Sequence, residues 1–238
     1  MTVAVLSPHL DDAVLSAWSA LRGPEPAAVV NVFDGIPPAG TLSRWDRVTG
    51  ASDSAERMRE RHEEDRAALA IAGCPSTSLG LLEAEYRDRP VDGAELGRAL
   101  AAAVGDAAEV WAPAGIGAHP DHLLVRDWAL AEAGAPVRLY ADLPYAVRQG
   151  WPAWVTGSEP DPHLDVEAWW QRFMPAGADL APRVRALDGG EVETKLRAIA
   201  SYRTQLPGLD HGPLRLLHHP LVIGHEVSWA IGRDGGPP

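Results

Sequence analysis

The chain has 238 residues and a formal net charge of −12, enough length to bury the core of one α/β domain and no Lys/Arg run to follow a phosphate backbone or an anionic membrane. Nucleic acid and membrane partners are therefore not expected, and a small-molecule substrate is. The single cysteine, Cys74, excludes an internal disulfide, and with no export signal and no long apolar stretch the protein is expected in the cytoplasm.

Val3-Ala4-Val5-Leu6 reads as a short buried strand. It gives way, through Ser7-Pro8-His9-Leu10-Asp11-Asp12, to a helical pattern with Val14, Leu15, Trp18 and Leu21 on one side. Residues 27–33 read as a second buried strand. The segment 34–53, rich in Gly, Pro, Ser and Asp, is long for a connection and reads as functional or mobile. Ser52 or Asp53 caps the next helix, whose Glu56, Arg59, Glu60, Glu63 and Arg66 face solvent, whose Ala67, Ala68 and Ile71 pack inward, and which Gly73 stops. Strands over 76–82, 110–113 and 137–141 alternate with helices over 93–104 and 123–132, and 83–90 is a polar loop. Such alternation predicts a Rossmann-like α/β fold: a mostly parallel sheet with helices on both faces. No G-x-G-x-x-G follows the first strand, so a dinucleotide cofactor is not expected.

From 149 to 182 the character changes. Trp151, Trp154, Trp169 and Trp170 lie among Pro, Gly, Asp and His with no clean period. The stretch reads as a folded excursion near the sheet's C-terminal edge, roofing the site with Trp151 and Trp154 against substrate; core packing is the alternative. A helix over 191–205 ends at Pro207-Gly208, segments 214–217 and 221–231 return the chain to the sheet, and 235–238 frays. All of 1–238 is read as one domain.

Two clusters carry the chemistry. His9, Asp11 and Asp12 follow the first strand; His119-Pro120-Asp121-His122 follows the strand over 110–113. Either Asp11 or Asp12 can serve as a helix cap, and His119-Pro120 suits a helix start without any metal. Taken together, His9, Asp12 and His122 make two imidazoles and a carboxylate, the three-ligand set that leaves a zinc ion an open position. Fe(II) or Co(II) accept similar donors.

With Arg61-x-x-Glu64-x-x-Ala67-Ala68 and Lys195-x-x-Ala198-x-x-x-Tyr202-x-x-Gln205, the ordered clusters span nearly the whole chain. The set resembles the PIG-L/LmbE-like family of zinc-dependent N-deacetylases, N-acetylglucosaminyl deacetylases among them. The resemblance implies that Asp12 binds zinc and Asp11 is the general base. His119 would act as protonated acid or oxyanion stabiliser, with Asp121 orienting it and raising its pKa. Arg44 and Asp46 in the long loop are candidates for gripping substrate hydroxyls. Lys195, the only lysine among 21 basic residues, and Tyr202 share a helix face and are further candidates for substrate contact, packing being the alternative for Tyr202. The implied reaction removes an N-acetyl group from an amino sugar or a glycosylated small metabolite. An amidase for larger N-acyl or thiol-conjugated amides, and a silent binding relative, are the rivals.

Overall fold

The computed structural model describes residues 2–175, 181–210 and 215–231. In chain order the elements are β1 (Val3–Ser7), α1 (Asp12–Ser16), α2 (Trp18–Leu21), β2 (Ala27–Asn31), α3 (Arg44–Val48), α4 (Ser54–Ala72), β3 (Ser76–Ser78), α5 (Gly93–Val104), β4 (Glu109–Pro113), α6 (Pro120–Glu132), β5 (Val137–Tyr140), α7 (Ala153–Thr156), α8 (Val166–Gln171), β6 (Pro182–Ala186), α9 (Gly189–Ile199), α10 (Leu206–Leu209), α11 (Pro220–Ile223) and β7 (His225–Ile231). One sheet runs β3-β2-β1-β4-β5-β7-β6. Strands β1 to β5 are parallel, whereas β7 runs antiparallel to β5 and pairs with β6 at the edge.

Every residue of β1 is buried, because successive side chains serve opposite faces. Ala4 and Leu6 join a core with Leu100 of α5, Val125 of α6 and Trp170 of α8. Val3 and Val5 join the opposite core, with Val14, Trp18, Leu69 of α4 and Ile199 of α9. The strand order turns back between neighbours β1 and β4, and a crevice opens at that switch point beyond their C-terminal ends. Both His/Asp clusters begin there. Among the described residues no helix is long and apolar enough to cross a membrane.

Helix α4 begins and ends where local chemistry directs. The Asp53 carboxylate accepts the Glu56 N–H, and Gly73 stops the helix at φ 76°, a conformation open to glycine at little cost. The helix expected after Asp12 is instead two short ones. The Trp18 and Ser19 amides donate to the Glu226 carboxylate at 2.7 and 2.8 Å rather than continuing α1. Lys195 Nζ completes that buried node, 2.8 Å from Glu226 Oε1.

The helix expected over 191–205 ends early, at Ile199. The Thr204 N–H and hydroxyl both turn to Glu64, and Pro207 instead starts α10. Strand β6, not foreseen, is exposed along its whole length and shows no apolar run. Part of the excursion packs on the core, while residues 156–165 are exposed. Trp170 is buried, donates to the Ala146 carbonyl at 2.9 Å, and meets Trp151, Trp154 and Trp229 edge to face. Its residues 176–180, residue 214 and the expected frayed end at 235–238 lie outside the described residues.

Candidate metal centre and active site

The turn after β1 is held by Ser7. Its hydroxyl donates to the His9 carbonyl at 2.6 Å and accepts the Ala13 N–H at 3.0 Å. Ser7 thus satisfies a first-turn amide of α1 that an aspartate cap would have taken, and the Asp11 side chain makes no capping bond. Asp12 Oδ2 accepts the His9 N–H at 2.8 Å. Strand β4 delivers the second cluster: Pro120 opens α6 and His119, at the cap, accepts the Asp121 N–H on Nδ1 at 3.3 Å.

Three donor atoms converge between the clusters. His9 Nδ1 and His122 Nε2 each lie 3.2 Å from Asp12 Oδ2 and 3.4 Å from one another. Ligand bonds of about 2.0–2.2 Å to a tetrahedral zinc ion set donor atoms about 3.3–3.6 Å apart. The far nitrogen of each imidazole rests on a buried carboxylate: His9 Nε2 on Asp121 Oδ2 at 3.1 Å, His122 Nδ1 on Asp142 Oδ1 at 2.7 Å. Those carboxylates accept, so the protons of the neutral rings sit on the far nitrogens, and two nitrogen lone pairs face the Asp12 oxygen. Positive charge has to lie among them. Burial disfavours the imidazolium forms, yet Asp12 and Asp142 raise His122 to about 9, and Glu83, Asp12 and Asp121 raise His9 well above the usual range. The donor set therefore fits a divalent metal. His9, His119 and His122 also bring one ring nitrogen each within 4.8 Å of one another.

A cleft of about 520 Å³ opens over these atoms. Asp11 lines it; burial and the neighbouring Asp12 raise its carboxyl, against the pull of Arg61 and His9. His119 also lines it, its ring 4.7 Å from that of His9. Burial and the two neighbouring imidazoles hold His119 down to about 4. Arg61 of α4 enters the cleft paired with Glu83 at 2.6 Å. Tyr145 stands 5.6 Å from the His122 ring, with the Arg148 guanidinium over its face at 4.7 Å.

The 2'-N-acetylparomamine deacetylase of Streptomyces fradiae is 30% identical over 221 residues, covering 84% of this chain and 72% of that protein. The chain belongs to the PIG-L/LmbE-like N-deacetylases. It is thus a hydrolase acting on amides. No protein-family model matches it. A deacetylase of the teicoplanin biosynthetic pathway superposes with TM-score 0.75 at 28% identity, covering 97% of each chain. The A40926 pseudoaglycone deacetylase does so with TM-score 0.72 at 29% identity, over 96% of this chain and 95% of that one. A teicoplanin deacetylase structure is described as a zinc-inhibited form, at 25% identity, TM-score 0.70 and 97% coverage of both chains.

The deacetylase brings together six residues picked from sequence, His9, Asp11, Asp12, His119, Asp121 and His122, but Asp121 in a different place. Its carboxylate holds His9, the Ala84 N–H at 2.9 Å and Arg87 at 2.5 Å, and only its backbone N–H meets His119. Of the two roles expected for His119, a pKa held down to about 4 against the pull of Asp121 and Asp12 favours the oxyanion stabiliser over the protonated acid.

The six substrate contacts expected elsewhere do not line the cleft. Arg44 is exposed on α3. Asp46 is fully buried, accepting from the Tyr86 hydroxyl at 2.7 Å and the Ser43 hydroxyl at 3.0 Å to pin the long loop. Trp151 donates to the Val222 carbonyl of α11 and Trp154 to Glu167 of α8, and neither ring lines the cleft. Lys195 lies on Glu226, and Tyr202 donates to Asp65 at 2.9 Å, both buried. In their place stand Arg61, Glu83, Tyr145 and Arg148. The Arg61-x-x-Glu64 spacing, two charges one turn apart among packing alanines, was the signal for the first.

Proposed function

We propose that this deacetylase holds zinc through His9 Nδ1, Asp12 Oδ2 and His122 Nε2 and removes the acetyl group from the amine of an amino sugar or a glycosylated small metabolite. The observation that carries the reading is the meeting of those three donors within 3.4 Å, each imidazole backed by its own carboxylate. Fe(II) or Co(II) would satisfy the same donors. A bound ion would polarise the amide carbonyl and bring the pKa of water to about 7.

The chain's own residues do the rest. Asp11, whose carboxyl burial and Asp12 raise toward the range of a general base, takes the proton of the attacking water and passes it to the nitrogen as the C–N bond breaks, so that acetate and a free amine leave. His119 accepts a backbone N–H on Nδ1, which leaves Nε2–H as a donor for the carbonyl oxygen as it gains charge. Being neutral, it donates without giving the proton up. Asp121 and Asp142 fix the ligand rings. The sugar acceptor is supported by the relatives' substrates as named above and by a cleft large enough for a small glycoside. The chain is read as one domain, because a single sheet supplies both strand ends of the site; its single cysteine is compatible with the cytoplasm.

Acetate and free amine are to be measured with a panel of N-acetylated amino sugars, before and after chelation. Release that stops on chelation and returns with zinc is expected. No release from any of the panel, or release undiminished in metal-free protein, would overturn the reading.

A further inference from the structure

The mechanism does not use every motif residue. Gln205, from the C-terminal motif, is 2% exposed, and both ends of its amide are engaged. Its Oε1 accepts the Trp45 Nε1–H at 3.0 Å, and its Nε2 donates to Thr204 Oγ1 at 3.1 Å. Thr204 Oγ1 donates in turn to Glu64 Oε2 at 2.8 Å, and Glu64 is itself buried on α4. A chain of hydrogen bonds therefore runs from α4 to the indole of Trp45 on α3. Gly208 completes the clamp. A Cβ there would lie 2.6 Å from Trp45 Cη2 and 2.7 Å from Cζ2, so the six-membered ring rests against a position that only glycine leaves open.

Trp45 lines the cleft beside Leu15, Gln205 and Leu209. Its one polar atom is already taken, so what it offers a ligand is apolar ring surface. A rigid, flat apolar surface matches the C–H face of a six-membered polyol ring. It offers nothing to a hydroxyl or an ammonium group by hydrogen bonding.

We infer that Trp45 is the specificity-determining platform against which the ring of the acyl acceptor stacks, and that Gln205 is the positioning residue that sets its plane. This rests on the amino-sugar reading above and adds the residue that selects for a ring. It also gives the 34–53 segment a purpose: Asp46, Ser43 and Tyr86 pin the base of α3 so that Trp45 projects from a fixed support.

The experiment compares kcat and KM for methyl N-acetylglucosaminide and for acyclic N-acetylethanolamine in wild type, Trp45→Ala, Trp45→Phe, Gln205→Met and the Trp45→Phe/Gln205→Met double variant. A wild type that does not favour the ring substrate sinks the amino-sugar reading before any substitution is considered. Given that preference, Trp45→Ala should lower ring-over-acyclic selectivity about tenfold, through KM rather than kcat, as a stacking contact of about 1.4 kcal/mol requires. Trp45→Phe, which keeps a ring and a fold, should fall between. Gln205→Met should raise KM in the native background and add nothing in the Trp45→Phe background, which has no indole N–H to orient. Unaltered selectivity in both Trp45 variants overturns the platform. An equal Gln205→Met effect in both backgrounds overturns the positioning role.

Discussion

Asp142 Oδ1 lies 2.7 Å from His122 Nδ1, and neither side chain is open to solvent. The other Asp142 oxygen accepts the Ile116 N–H at 2.8 Å, so the carboxylate ties the β5 end to the β4 turn while aiming the imidazole. Asp142→Asn keeps the volume but removes the charge that makes His122 a good donor. Zinc affinity should weaken about 10- to 100-fold, read by titration against a competing chelator. Unchanged affinity would mean that the carboxylate does not tune the site.

Lys195 and Glu226 form a buried ion pair away from the cleft, and the same carboxylate receives the first amides of α2. Lys195→Met leaves that charge buried and unpaired, and should destabilise the fold by roughly 3–5 kcal/mol. Adding Glu226→Gln should recover part of the loss, since an amide oxygen still accepts from Trp18. Denaturant midpoints of the two variants test this. A loss within the 0–1 kcal/mol or so of an exposed pair would contradict it.

Trp170 sits at the centre of an edge-to-face cluster with Trp151, Trp154 and Trp229. Trp170→Ala should lower stability by about 3–5 kcal/mol and leave KM of the folded protein where it was. A raised KM in a protein of native stability would put the excursion back over the cleft.

What was legible in the chain was whatever local chemistry dictates. Asp53 and Gly73 bound α4, Pro120 opens α6, and two apolar runs each deliver a His/Asp cluster, because caps, fixed φ and strand-end placement act within a few residues. Partnerships across the sheet were not legible. Asp121 is two residues from His119 but meets His9, 112 positions away, and Asp142 reaches His122 from another strand. Nothing in spacing distinguishes those pairings. Lys195 shows the converse limit. Its isolation among arginines marked it correctly as a special residue, yet only the fold reveals that its partner is Glu226 rather than a substrate. Likewise the helix meant to carry Lys195 and Tyr202 on one face ends at Ile199, before Tyr202, and Thr204 turns to Glu64.

The central claim is that Asp11 moves the proton in a hydrolysis supported by a metal held on His9, Asp12 and His122. Asp11→Asn is nearly isosteric, and the Asp11 side chain neither caps α1 nor supplies one of the three converging donors. Zinc content and acetate release measured on one preparation of this variant, beside wild type, test the claim most directly. Native zinc content with a rate lowered about 10²- to 10⁴-fold is the expected result. Turnover within about tenfold of wild type at equal zinc content would contradict it, because a general base is worth at least about 10²-fold.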